Sequence, residues 1–256
     1  YIDALTYQPM CGAGTLSVAK ALVETGMVKR VEPETKIVLE TPTGLVTVYV
    51  KWENHMVASI NLENVPAFLY RKDLLSYLAG YGDVSVDIGY GGNFFVLADV
   101  HSLGLTITKD TVNLLRSLSK DILAAANKVI KVAHPTNPAI NYLDQVLFCQ
   151  NVPEEDGGYL AQCIFGDAQA DISPCGTGTS TRLAQRYFRG LIGLEETFVQ
   201  KSVCGGAFHA KGLRDTTLGV VPAIVPDVSC PDVHITGFNH LIVEENDKLK
   251  NGFVSW

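Results

Sequence analysis

The chain has 256 residues, of which 47% are apolar and 18% charged, and a formal net charge of −7. That length can bury one large core or two small ones, and the acidic balance excludes a nucleic-acid partner, which needs a basic surface. No basic run addresses an anionic membrane, and no apolar stretch approaches the roughly 18 residues needed to span one.

In chain order, Leu16 to Thr25 is apolar on most faces, as expected of a buried helix, with Gly26 as its C-cap. Lys36–Thr41 and Leu45–Trp52 alternate and are rich in β-branched residues, which predicts two strands joined by the turn Pro42-Thr43-Gly44. Val57–Asn64 is a further strand, and Val84–Val96 is strand-like but interrupted by Gly89 and Gly91-Gly92. Leu105–Val132 has helical periodicity, with Asp110-Thr111 as a start and Pro135 as a stop. Tyr142–Gln150 and Tyr159–Phe165 return to strands, Thr179–Phe188 is a second buried helix, and 196–209 and 222–243 read as extended. Strands dominate without regular βαβ alternation, so the fold class is α+β. Local glycine density places a domain boundary at Gly80-Tyr81-Gly82, giving a first lobe over 1–81 and a second over 82–240.

The most informative feature is a repeat: Met10-Cys-Gly-Ala-Gly-Thr15 and Pro174-Cys-Gly-Thr-Gly-Thr179. Each is followed by a helical stretch ending on a glycine fifteen positions after its cysteine, at Gly26 and Gly190. A lone cysteine is more often a small buried hydrophobe than a catalyst, and a lone glycine-rich turn is usually structural; here cysteine recurs at the same place in both frames. The first N–H groups of a helix lack intrahelical acceptors and, with the macrodipole, suit an anion. Two such termini would hold one small carboxylate between them. The same field is expected to lower a cysteine pKa from about 8.5 toward neutrality. One thiolate and one thiol on opposite sides of a ligand suit a two-base proton transfer, hence racemisation or epimerisation. Neither frame carries a Walker lysine, and no cofactor fingerprint supplies an electron sink.

Cys204-x4-His209 and Cys230-x3-His234 loosely match zinc-ligand spacings, but no finger pattern surrounds them, and no metal is expected. The six cysteines show no paired framework, so reduced thiols in a cytoplasmic setting are expected. Asp171 reads either as a turn cap or as a contact to a substrate ammonium; Asp87 and Asn93 read as shaping a tight bend around Gly91-Gly92. The chain starts at Tyr1-Ile2-Asp3 with neither an initiator Met nor a signal-peptide pattern, and reads as an excerpt or a processed product.

With these motifs the sequence resembles the proline racemase family, which includes 4-hydroxyproline epimerases and trans-3-hydroxyproline dehydratases. The likeness runs through most of the chain: the first cysteine frame, Glu40-Thr-Pro-Thr-Gly44, Asn64-Val-Pro66, Asp87-Ile-Gly-Tyr-Gly-Gly-Asn-Phe-Phe95, Asp171-Ile-Ser-Pro-Cys-Gly-Thr-Gly-Thr179 and His234-Ile-Thr-Gly-Phe-Asn239. The resemblance implies two pseudo-symmetric lobes of diaminopimelate epimerase-like form, each with β-structure around a central helix, and an active site in the cleft between them. It implies Cys11 and Cys175 as the catalytic acid/bases, without a cofactor, and Gly12, Ala13, Gly176 and Thr177 as carboxylate-binding positions. Asp171 would contact the ring nitrogen. It also implies a homodimer and a small amino-acid substrate, and completion of the first lobe by residues 241–256.

Dehydratase members carry threonine where this chain has Cys175, which disfavours dehydration. Phe165-Gly166 with Gln169-Ala170-Asp171 is closer to the racemase branch. Three departures stand out: Ala13 replaces a substrate-contacting histidine, Ile172 replaces an arginine, and the family's amino-terminal strands, with a Thr-Gly-Gly-containing motif, are not found before Tyr1. The leading expectation is a cofactor-independent racemase or epimerase acting at Cα of proline or a related small amino acid. The alternatives are a weak or silent relative that binds a small carboxylate, or a 4-hydroxyproline epimerase with a pocket altered at Ala13.

Overall fold

A computed structural model describes residues 1–2, 7–239, 243–248 and 250. The chain opens with α1 (Gly12–Glu24) and then runs through β1 (Glu34–Thr41), β2 (Gly44–Glu53), β3 (Met56–Glu63), β4 (Phe68–Leu78), β5 (Gly82–Tyr90) and β6 (Phe94–Asp99). After a 3₁₀ turn come α2 (Val112–Val129), β7 (Gln145–Cys149), β8 (Tyr159–Phe165), β9 (Gln169–Ala170) and α3 (Gly176–Phe188). The last strands are β10 (Phe198–Lys201), β11 (Ala207–Leu218) and β12 (Val221–Cys230). The α+β reading therefore holds: strands predominate, with α3 buried among them and α1 buried along one face only, short of the burial its apolar sequence suggested.

The strands form one sheet in the order β1-β2-β3-β12-β11-β10-β8-β7-β6-β5-β4, with β9 as a side branch on β8. Pairing is antiparallel except for β6–β7 and β8–β10. Ala67, just ahead of β4, exchanges backbone hydrogen bonds of 2.8 and 2.9 Å with Ile224 in β12. The strands from β12 round to β4 are thereby drawn into a nearly closed wrap. Its centre is α3, which packs against β4, β5, β6, β11 and β12 and is buried at every position from Gly176 to Ala184. Arg182, fully buried, ties the helix to the wrap by donating to the carbonyls of Leu160 (3.1 Å) and Gln150 (2.6 Å).

Helix α1 packs against β2 and β3. Strand β2 shows the alternation that drives this packing: Val46, Val48 and Val50 are buried while Leu45 is exposed, and each buried valine contributes about 1.5–3 kcal/mol. The turn expected at Pro42-Thr43-Gly44 joins β1 to β2, with Gly44 at φ +120°.

Several expectations shift. Gly80-Tyr81-Gly82 is the turn of the β4–β5 hairpin, whose strands pair from Phe68↔Tyr90 to Leu78↔Gly82. A boundary at 81/82 would cut that hairpin, whose two strands stay together in one sheet. Strand β4 itself was not expected. Both cysteine helices begin one residue after the cysteine, so the glycines and threonine form their first turn and do not precede it. The long helix is shorter than its periodicity suggested. Most of 241–256 lies outside the described residues. No helix among the described residues is long and apolar enough to cross a membrane.

Candidate active site

Cys11 is the N-cap of α1, and its Sγ accepts a hydrogen bond from the Gly14 N–H at 3.3 Å. Its carbonyl accepts from the Thr15 N–H (3.0 Å) and hydroxyl (2.8 Å). The second frame repeats this atom for atom. Cys175 caps α3, its Sγ accepts from the Gly178 N–H at 3.3 Å, and its carbonyl accepts from the Thr179 N–H (2.7 Å) and hydroxyl (2.8 Å). In each, Cys-Gly-x-Gly-Thr is a capping unit in which a thiol stands where serine or aspartate is usual. Neither helix has an acidic residue in its first turn, so nothing on the helix itself neutralises the terminal N–H groups.

The two helices meet at these ends. A Cβ on Gly12 would lie 2.7 Å from the Cα of Gly176, and one on Gly176 would lie 2.7 Å from the Cα of Gly12. Only glycine allows that backbone contact. The β5–β6 turn is wedged beside it: a Cβ on Gly91 would sit 2.6 Å from the Thr177 carbonyl oxygen. From this turn the Asn93 side-chain amide donates to the Met10 carbonyl (2.9 Å) and to the Thr177 hydroxyl (3.3 Å), linking the approaches to both helices. Asn93 is thus more than the bend-former that its sequence context suggested. Asp87 lies elsewhere, at the far end of α3.

A cavity of about 70 Å³ opens between the helix ends, and Cys11, Gly12, Ala13, Asp171, Cys175, Gly176 and Thr177 all line it. The seven residues given a site role by the motifs and the resemblance are therefore brought to one place. Ile172 is exposed and does not line the cavity. Sequence reasoning missed Gln8, Gln145 and Cys163, which also form the wall. Gln8 and Gln145 are buried and joined by a 2.9 Å hydrogen bond; paired polar residues in apolar surroundings were the available signal. Cys163 passes in the sequence for an ordinary core position of β8. A larger cavity of about 520 Å³ lies at the other end of α3. There Arg189 clamps the Asp87 carboxylate with bonds of 2.6 and 2.8 Å, an arrangement that ties α3 to β5 and brings no thiol pair together.

Burial pushes the Cys11 thiol above its ordinary pKa; the Gly14 N–H pulls the other way but does not win, and the nearby Cys175 adds to the rise. The expected lowering by the helix terminus is overturned at this residue. Asp171 accepts the Ser173 N–H at 2.8 Å, so it caps a turn as well as lining the cavity. Burial raises its carboxyl above the ordinary carboxylate range despite that bond. The Cys163 thiol is raised well above its usual value by contact with Cys175 and by burial. Ligand atoms of Cys163, Asp171 and Cys175 lie within 4.8 Å of one another. Cys204, His209, Cys230 and His234 form no comparable cluster among the described residues.

The proline racemase family profile matches residues 1–254. The chain is 37% identical over 254 residues to the proline racemase of Acetoanaerobium sticklandii, covering 99% of this chain and 76% of that protein. It is 36% identical over 249 residues to a trans-3-hydroxy-L-proline dehydratase of Azospirillum brasilense, covering 97% and 74%. Among solved structures, a hydroxyproline epimerase from Agrobacterium vitis with bound trans-4-hydroxy-L-proline matches with a TM-score of 0.83 and 30% identity, covering 97% of this chain and 71% of that one. The profile spans nearly every residue, and both cysteine frames fall within the match: the chain belongs to the proline racemase family.

Proposed function

We propose that the protein is a cofactor-independent isomerase that inverts Cα of proline or a closely related cyclic amino acid. The observation that carries this reading is the pair of thiols, Cys11 and Cys175, each capping a helix and each lining the same cavity. The substrate carboxylate is held at the two helix termini, by the N–H groups of Gly12, Ala13, Gly176 and Thr177. Those dipoles are fixed before the reaction and stabilise the enolate character that develops as the α-proton leaves. Asp171 receives the ring ammonium, whose charge favours the ionised carboxylate that burial alone opposes.

When Cys175 takes the α-proton on one face, the Cys11 thiol returns a proton on the other. In the reverse direction the roles exchange, as two-base inversion requires. Thiols on both sides favour inversion over the loss of water named for the Azospirillum relative, since elimination needs a base on one face only.

Proton NMR in D2O with L- and D-proline and the hydroxyprolines tests this. Loss of the α-proton signal with formation of the enantiomer or epimer is expected, and Cys175→Ser should abolish inversion. Wild-type-like turnover in that variant would sink the two-base scheme. A second reading, a weak catalyst that mainly binds the carboxylate, draws on Ala13: this wall of the cavity offers a methyl group and no side-chain hydrogen bond. Silence across the substrate panel would favour it.

A further inference from the structure

We propose that Cys163, Cys175 and Asp171 form a binding site for a thiophilic divalent cation of the zinc class, and that such an ion blocks the catalytic cavity. The inhibitory consequence rests on the functional reading above; the binding does not. Nothing in that reading uses Cys163, a thiol buried in β8 yet set against Cys175 on the cavity wall. Its Sγ, the Cys175 Sγ and a carboxylate oxygen of Asp171 are mutually within 4.8 Å.

The three ligands come from two segments, β8 and the loop leading into α3, that are locked to one another. The Asp171 N–H donates to the Cys163 carbonyl at 3.0 Å, and the Gln162 side-chain amide donates to the Asp171 carbonyl at 2.8 Å. The Ser173 N–H holds the Asp171 carboxylate at 2.8 Å, and the Cys175 N–H donates to the Ser173 hydroxyl at 3.0 Å. The ligand set is therefore preformed, and no segment has to fold around the ion.

Two thiolates and a carboxylate select zinc, cadmium or cobalt over magnesium or calcium, which take oxygen ligands. A tetrahedral ion about 2.3 Å from each sulfur sets the two sulfurs about 3.8 Å apart. From separations of at most 4.8 Å, the ligand atoms need to close by no more than about 1 Å. Binding expels the two thiol protons to solvent, so affinity rises with pH. A solvent molecule from the cavity completes the fourth position. The ion then occupies the sulfur and the carboxylate that the amino acid needs, which makes inhibition competitive with substrate.

The test is an anaerobic titration of the reduced chain with cobalt(II), followed by displacement with zinc. One cobalt per chain is expected, with thiolate-to-cobalt charge-transfer absorption in the near ultraviolet and tetrahedral bands in the visible. Cys163→Ser should weaken cobalt and zinc binding on the order of 100-fold or more, beyond the 10- to 100-fold typical of losing an outer-sphere partner. Cys204→Ser, at an exposed thiol, should leave both unchanged. If Cys163→Ser lowers folded yield, Cys163→Ala with circular dichroism separates loss of fold from loss of binding. Unaltered affinity in a folded Cys163 variant, or a cobalt spectrum without thiolate bands, overturns the site. Zinc binding by a chain that is silent on every substrate even when metal-free would support the site and count against the isomerase reading. Turnover unaffected by zinc at saturating occupancy would refute the blocking role.

Discussion

Replacing Gly12 by alanine probes the contact on which the cavity is built. A Cβ at that position would lie 2.7 Å from the Gly176 Cα and 3.2 Å from its carbonyl carbon. Carbon atoms rest about 3.5–4.0 Å apart, so the helix starts must separate by about 1 Å. The obstacle is backbone inside a buried first turn, which cannot rotate aside as a side chain would. Overpacking of this kind costs about 1–3 kcal/mol, and the better helix propensity of alanine returns at most about 1 kcal/mol. With that full return the net loss is up to about 2 kcal/mol, which lowers Tm by up to about 4–8 °C. The catalytic loss should be larger, because a 1 Å misplacement of reacting groups costs on the order of 100-fold in rate. The signature is thus a large fall in racemisation, read by polarimetry, beside a modest fall in the circular-dichroism melting point. Gly237→Ala, whose Cβ meets nothing within 4 Å, is the matched control. Wild-type turnover in Gly12→Ala would refute the placement of the two helices.

Ala13→His should restore a charged hydrogen bond to substrate worth about 1.5–3 kcal/mol, a gain of roughly 10- to 150-fold in kcat/KM on proline. No gain would mean that the pocket is shaped for a different amino acid. Asn93→Ala removes a buried amide that bonds Met10 and Thr177, and should cost about 1–3 kcal/mol in denaturant unfolding; an unchanged midpoint would dismiss it as a clamp. Burial opposes the charge on Asp87, but hydrogen bonds from Arg189, Gln185 and the Asp73 N–H outweigh it and hold the carboxyl below its ordinary value. A carboxyl lowered in the fold stabilises fully above the unfolded value near pH 4, and loses that stabilisation as pH falls through its folded value. Asp87→Asn should therefore be less stable than wild type at pH 7, by about 2–4 kcal/mol, and the gap should narrow below about pH 4. A gap that stays constant down to acid pH would count against the ion pair.

The repeat of cysteine, glycine and threonine located the site in the sequence because it encodes a capping unit twice, and all seven residues drawn from it and from the resemblance line one cavity. The helix starts were misjudged for a physical reason. Glycine and threonine are poor helix formers, and what sustains them in the first turn is tertiary: the contact of Gly12 with Gly176 and the wedging of Gly91 against Thr177. Strand β4 escaped notice because Arg71-Lys72-Asp73 interrupts its alternation. In the structure that interruption is real, with register shifts on either side of Arg71 and Asp73 at φ +50°. Cys163 could not be told from a core residue, since its meaning depends on Cys175 and Asp171 arriving from later segments. The Cys11 pKa was misread because the dipole is visible in sequence and desolvation is not.

Each of the two helices begins on a residue that is a mediocre cap. Serine, threonine, aspartate and asparagine are the preferred residues there, whereas here sulfur, a weaker acceptor than oxygen, takes the N–H at 3.3 Å in both frames. Cys175 also holds φ at +66°, a left-handed conformation that costs an ordinary residue about 1–2 kcal/mol. On the functional reading above, these are the two positions at which turnover and thermal tolerance pull in opposite directions. A serine at either would anchor its helix at least as firmly and remove a base. Selection of this protein for heat resistance alone would then drift toward inert sequences, and would do so first at the two helix starts.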